Sequence, residues 1–105
     1  MEISQMQVEV HRIAVEHGWW EEPRSVGEVL MLMVTELAEA MEAYRSGNPE
    51  SKKIPGFSQM EEELADVVIR LLDYAGGKNL NIEGALLAKM AYNEKRPYRH
   101  GGKLA

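Results

Sequence analysis

The residues of this chain best suited to chemistry are two matched pairs of carboxylates. Glu36 and Glu39 stand three apart in the stretch TELAEAMEAY, and Glu63 and Asp66 repeat that spacing in EELAD. Residues three apart share one face of an α-helix, separated by a rise of about 4.5 Å. Neighbouring helices pack at about 8–10 Å, so side chains from two such pairs can meet in one groove. Four carboxylates gathered there would suit a hard divalent cation. Mg²⁺, for which Mn²⁺ can substitute, takes oxygen ligands, keeps several waters and accepts phosphate oxygens as further ligands. The sequence contains no cysteine, which excludes thiolate metal sites, disulfides and a cysteine nucleophile.

The same spacing also suits a solvated face or ion pairs, Asp66 with Arg70 being one candidate. A helical projection puts Leu32, Glu36, Glu39 and Ala43 on one line beside an apolar stripe. An unpaired carboxylate in such a strip costs several kcal/mol, so a cation, a proton or strong hydrogen bonds are expected with it. Periodicity alone does not turn Glu63 and Asp66 inward.

Helical periodicity runs through the chain and alternating strand patterns are missing, which predicts four helices. The first spans about 2–17, with Ile3, Met6, Val10, Ile13 and Ala14 on one face and Gly18 as its stop. Ser25 with Glu28 forms a capping-box pattern for the second, whose stripe is Val26, Leu30, Met33, Leu37, Met41 and Tyr44, and Gly47-Asn48-Pro49 ends it. After an aperiodic loop, Ser58 with Glu61 opens the third helix, which carries Met60, Leu64, Val67, Val68, Leu71 and Ala75 and stops at Gly76-Gly77. A fourth spans about 81–95, with Ile82, Leu86 and Met90 facing inward, and Pro97 closes it. The expected architecture is an all-α, four-helix bundle forming a single domain over 1–105. Val8, Val15, Val29 and Leu32 add apolar surface beyond what one small bundle hides, so a homo-oligomer is expected.

With 105 residues, 45% of them hydrophobic and 28% charged, the chain can build one modest core and is not compositionally disordered. A net charge of −5 argues against an extended nucleic-acid surface. Apolar runs fall well short of a membrane span and no signal pattern opens the chain, which makes a cytoplasmic address the expectation.

Charge is unevenly spread. Over 89–103 the sequence places Lys89, Lys95, Arg96, Arg99, His100 and Lys103 against Glu94 alone. Lys89, Asn93 and Arg96 continue the line of Ile82 and Leu86, so the inner face of the fourth helix turns polar where a phosphate and a sugar could be met. The alternative role for such cations is to complement the helix dipole. Trp19 and Trp20 follow the first helix, and adjacent indoles cannot point the same way. One is expected in the core, and the other packs there too or stacks on a base or fills an interface.

The series Glu36-Leu-Ala-Glu39, Glu63-Leu-Ala-Asp66, Lys89-Met-Ala-Tyr92-Asn93 and Arg96-Pro-Tyr-Arg-His-Gly-Gly-Lys103 resembles the MazG-like all-α nucleoside triphosphate pyrophosphohydrolases, from the Gly18-Trp19-Trp20 turn to the basic tail. The resemblance implies hydrolysis of a nucleoside triphosphate, ribo or deoxy, to the monophosphate and pyrophosphate, with Mg²⁺ on Glu36, Glu39, Glu63 and Asp66. It implies that Glu36 or Glu39 handles the attacking water, and that Lys89, Asn93, Arg96, Trp20 and Lys103 bind substrate. The family-like assembly is a homotetramer, a dimer of dimers, or a homodimer. Narrower relatives act on dUTP, dCTP or phosphoribosyl-ATP. A non-catalytic helical interaction module is the competing class. A di-iron bundle is excluded, because His11, His17 and His100 have no Glu three residues before them.

Overall fold

A computed structural model describes residues 1–97. Those residues form α1 (Ile3–Glu16), α2 (Val26–Arg45), α3 (Gln59–Gly77) and α4 (Ile82–Glu94), with no strand among them. No helix among them is long and apolar enough to cross a membrane.

Local chemistry sets the helix ends. Gly18 takes φ +83° after α1, and Gly47 at φ +88° with Asn48 at φ 50° turns the chain out of α2. Ser58 and Glu61 close a full capping box: the Glu61 amide donates to Ser58 Oγ at 3.0 Å, and the Ser58 amide donates to Glu61 Oε1 at 2.9 Å. At α2 only half of the expected box forms, Ser25 Oγ accepting from the Glu28 amide at 3.1 Å. The loop between α2 and α3 is tied down, since Asn48 Oδ1 accepts from the Met60 amide at 2.9 Å and buried Ser51 bonds Glu62.

The α3 helix is central, packed along α2 on one flank and along α1 on another, while α4 rests on α1. Gln7 Nε2 donates to the Leu80 carbonyl at 2.9 Å and the Ser4 amide donates to Glu83 Oε1 at 3.1 Å, fastening the start of α4 to α1. The deepest side chains are Leu72 and Ala75 of α3 with Ala40 and Ala43 of α2. Leu72 lies outside the predicted α3 stripe, of which Leu64, Val68 and Leu71 remain exposed.

The α3 helix ends on Gly77 with Lys78 as its cap, so Gly76 and Gly77 form its last two positions. Their role is close approach: a Cβ on Gly76 would stand 2.7 Å from His11 Cβ, and one on Gly77 would run into the Trp20 ring. The pair makes room for α1 and for the turn that follows it.

The predicted α2 stripe faces the wrong way for a core within the chain. Leu30, Leu37, Met41 and Tyr44 are all exposed, Leu37 at 49% and Met41 at 57%, while the line through Leu32, Glu36, Ala40 and Ala43 turns toward α3. Small alanines let two helix backbones approach closely, and packing along the whole α2–α3 seam outweighs the oilier face. In α4, Leu86, Leu87 and Met90 are likewise exposed, so its expected inward face is no more than half-buried, and that only near Ile82. The accessible surface is 8230 Å², against about 5,900 Å² for a compact monomer of this mass. The radius of gyration is 16.4 Å, against about 13 Å.

Candidate functional site

The turn of α2 toward α3 that exposes its oily stripe is what assembles the acids. Carboxylate oxygens of Glu36, Glu39 and Glu63 lie within 4.8 Å of one another, and so do those of Glu62, Glu63 and Asp66. Glu63 belongs to both groups, so the four predicted acids form one continuous seam, extended by Glu62. Glu62 stands four residues before Asp66, a helical spacing that marks it in the sequence once Asp66 is taken as inward. Its carboxylate is already engaged by Ser51, with Lys53 Nζ 3.9 Å away.

Glu36 is buried, and Arg70 Nε donates to its Oε1 at 2.9 Å. Arg70 therefore pairs across the seam with Glu36, rather than along its own helix with Asp66. Burial acts to raise the Glu36 pKa, but the hydrogen bond with Glu39 and the Arg70 guanidinium outweigh it and hold Glu36 below its ordinary value. Glu39 is raised, chiefly by its hydrogen bond with Glu36 and by the negative charge of that neighbour. Burial raises Asp66, helped by the negative charges of Glu36 and Glu62. Burial, then the hydrogen bond and charge of Glu39, push Glu63 up to about 7. One arginine does not balance this many acids. The donor set is all oxygen, crowded and short of positive charge, and so fits a hard divalent cation.

A cavity of about 670 Å³ opens beside the seam, within the size range of small-molecule sites. Glu36, Asp66 and Arg70 close one part of it; Trp19, Trp20 and Asp73 line another. The two indoles diverge as expected of neighbours, but neither is in a core, Trp19 being 52% and Trp20 36% exposed. Trp19 is half exposed with the Arg24 guanidinium 5.4 Å from its ring centre, while Trp20 lies over Gly77 and donates from Nε1 to Asp73 Oδ1 at 2.8 Å. The same Oδ1 is 2.9 Å from His11 Nδ1, and the His11 and Trp20 rings meet edge-on with centres 4.9 Å apart.

Lys89 of α4 and Arg96, just past its end, stand 4.7 and 5.7 Å from the Tyr92 ring centre, and Asn93 is exposed on the same helix. None of the three lines the cavity or joins the acids. The cations that do line it are Arg24, Arg70 and Lys78, none of them in the basic stretch 89–103. Arg70 had a signal: it follows Glu63 and Asp66 by seven and four residues, on the same face of α3. Lys103, with Arg99 and His100, lies outside the described residues.

Searches for a matching family model, for a similar curated protein and for a similar solved structure each return no match.

Proposed function

We propose that this chain is an Mg²⁺-dependent nucleoside triphosphate pyrophosphohydrolase of the MazG-like all-α type. The observation that carries this reading is the seam of Glu36, Glu39, Glu63 and Asp66 drawn from two helices against a cavity of nucleoside size. Mg²⁺, or Mn²⁺ in its place, would be held by those four carboxylates and would neutralise polyphosphate charge and acidify a water for attack on phosphorus. The chain's own part is to orient and to move a proton. Water adds to phosphorus, the bridging oxygen leaves with pyrophosphate, and the water's proton needs an acceptor. Glu39 suits that role better than Glu36, one of whose oxygens is occupied by Arg70. The base and sugar occupy the aromatic part of the cavity, with Trp20 as a wall.

A second copy of the chain completes this arrangement. Covering the outer face of α2 would bury the exposed Leu30, Leu37, Met41 and Tyr44, and the surface in excess of a compact monomer is of the order an obligate dimer buries. Lys89, Asn93 and Arg96 lie apart from the acids of their own chain, so they would serve the polyphosphate across that interface, in a homodimer or a dimer of dimers. The same oily faces support a second reading, a helical interaction module without catalysis. Pyrophosphate release from a panel of ribo- and deoxynucleoside triphosphates, dUTP, dCTP and phosphoribosyl-ATP included, decides between them. Release that requires Mg²⁺ and is abolished in Glu39→Ala is expected; no Mg²⁺-dependent release from any nucleotide leaves the module.

A further inference from the structure

The carboxylate of Asp73 has no part in the acid seam. It stands two helical turns along α3 from Asp66, about 10.5 Å along the axis, which is the order of the distance from a nucleotide's α-phosphate to the far edge of its base. Asp66, Arg70 and Asp73 all line the one cavity, so a nucleotide with its phosphates at the seam would direct its base toward Asp73.

Two donors hold the Asp73 side chain. His11 Nδ1 and Trp20 Nε1 both reach Oδ1, at 2.9 and 2.8 Å, and both partners are pressed into place by the glycines opposite them. An ionised carboxylate only accepts, so with Oδ1 doubly engaged its second oxygen is an acceptor of fixed direction. That Oδ2 makes no hydrogen bond to protein among the described residues, although Asp73 is only 21% exposed. Anchoring at two points is more than an ordinary surface carboxylate needs. It is what a recognition group needs if it is to reject a partner whose polar atoms are reversed, because an acceptor that a bound ligand covers with another acceptor is left unpaired.

We propose that Asp73 is the base-selecting residue of the cavity, its Oδ2 accepting from the exocyclic amine of an amino-bearing base, cytosine in preference to uracil. This rests on the nucleotide reading of the site and extends it to the choice of base. Trp20 and His11 are positioning residues that act through Asp73.

The test compares two bases that differ along one edge, an amine at C4 beside an accepting N3 in cytosine and a carbonyl at C4 beside N3–H in uracil. Binding of α,β-imido-dCTP and α,β-imido-dUTP, which resist cleavage at the scissile bond, is measured by calorimetry with Mg²⁺. The wild-type chain should favour the cytosine analogue by about tenfold or more, the worth of one charge-assisted hydrogen bond. In Asp73→Asn the amide oxygen can still accept from His11 and Trp20, leaving an amide NH₂ where Oδ2 stood, so the preference should level or invert toward uracil. Trp20→Phe keeps the carboxylate but leaves Oδ1 with His11 as its one donor, and should weaken the preference without inverting it; it also serves if Asp73→Asn does not fold. Equal binding of both analogues by wild type, an unchanged preference in Asp73→Asn, or equal loss of both analogues in a folded Asp73→Asn chain would each overturn the proposal. Base selection without pyrophosphate release from dCTP would sink the hydrolase reading and leave this one standing. Release without selection would do the reverse, and binding of neither analogue would overturn both.

Discussion

The two faces of α2 make opposite choices. The inner line holds Leu32, Glu36, Ala40 and Ala43 and packs against α3; the outer holds Leu30, Leu37, Met41 and Tyr44 and stays exposed. By hydrophobicity alone the outer face belongs in a core and the inner does not. The inner face wins because alanines permit a close helix pair, and because Arg70 across the seam relieves the burial of Glu36. What the difference teaches is that an apolar stripe marks a surface that must be covered, without saying whether the cover comes from the same chain.

The largest effect that would break this comparison is expected on the inner face. Glu39→Ala should cost more activity than the roughly 10–100-fold that loss of a supporting outer group costs a metal site, with metal binding followed by calorimetry. Its metal-free fold should be as stable as wild type or more so, because removing one of several crowded like charges relieves repulsion. A loss of several kcal/mol in a metal-free denaturant melt would show that the seam is structural.

The outer face is tested by charge. Leu37→Glu combined with Met41→Glu should abolish self-association in sedimentation velocity while leaving the helical circular dichroism of each chain in place, because both positions are exposed within the chain. Collapse of the helical signal would place that face in the chain's own core.

Gly77→Ala sharpens the comparison at the far end of α3. The added methyl runs into Trp20, and overpacking of this kind costs about 1–3 kcal/mol, read as a lowered denaturant midpoint. The tryptophan emission should shift with it as Trp20 is displaced from Asp73.

The smallest effect is a pH dependence. Glu63 is pushed from an ordinary 4.5 up to about 7 in the fold, so the folded chain holds a proton that the unfolded chain releases between those values. Relative to the fully ionised seam, that stabilisation is complete below about pH 4.5 and is lost as pH rises through about 7. Thermal melts of the metal-free chain should therefore fall across this window, and Glu63→Gln should flatten the fall. Added Mg²⁺ should stabilise most on the alkaline side, where the carboxylates are free to ligate. A melting temperature that rises through the window would contradict the crowding of the acids.

The sequence by itself determined the features that depend on a few consecutive residues: four helices within a residue or two of their bounds, the Ser58–Glu61 box, the turns at Gly18 and Gly47, and carboxylates three apart on α2 and α3. Backbone propensity, capping and helical phase act over one or two turns, so they are legible without a fold. Tertiary structure alone decided which face of α2 turns inward, that Arg70 serves Glu36 rather than Asp66, that Glu62 joins the seam, and that Asp73 ties His11 to Trp20. It also decided that Gly76 and Gly77 make room for neighbours as well as ending a helix, and that Lys89 and Arg96 stand apart from the acids of their own chain. Each of these pairs residues distant along the chain. Their outcome follows from packing summed over whole helix faces, which no local pattern of residues contains.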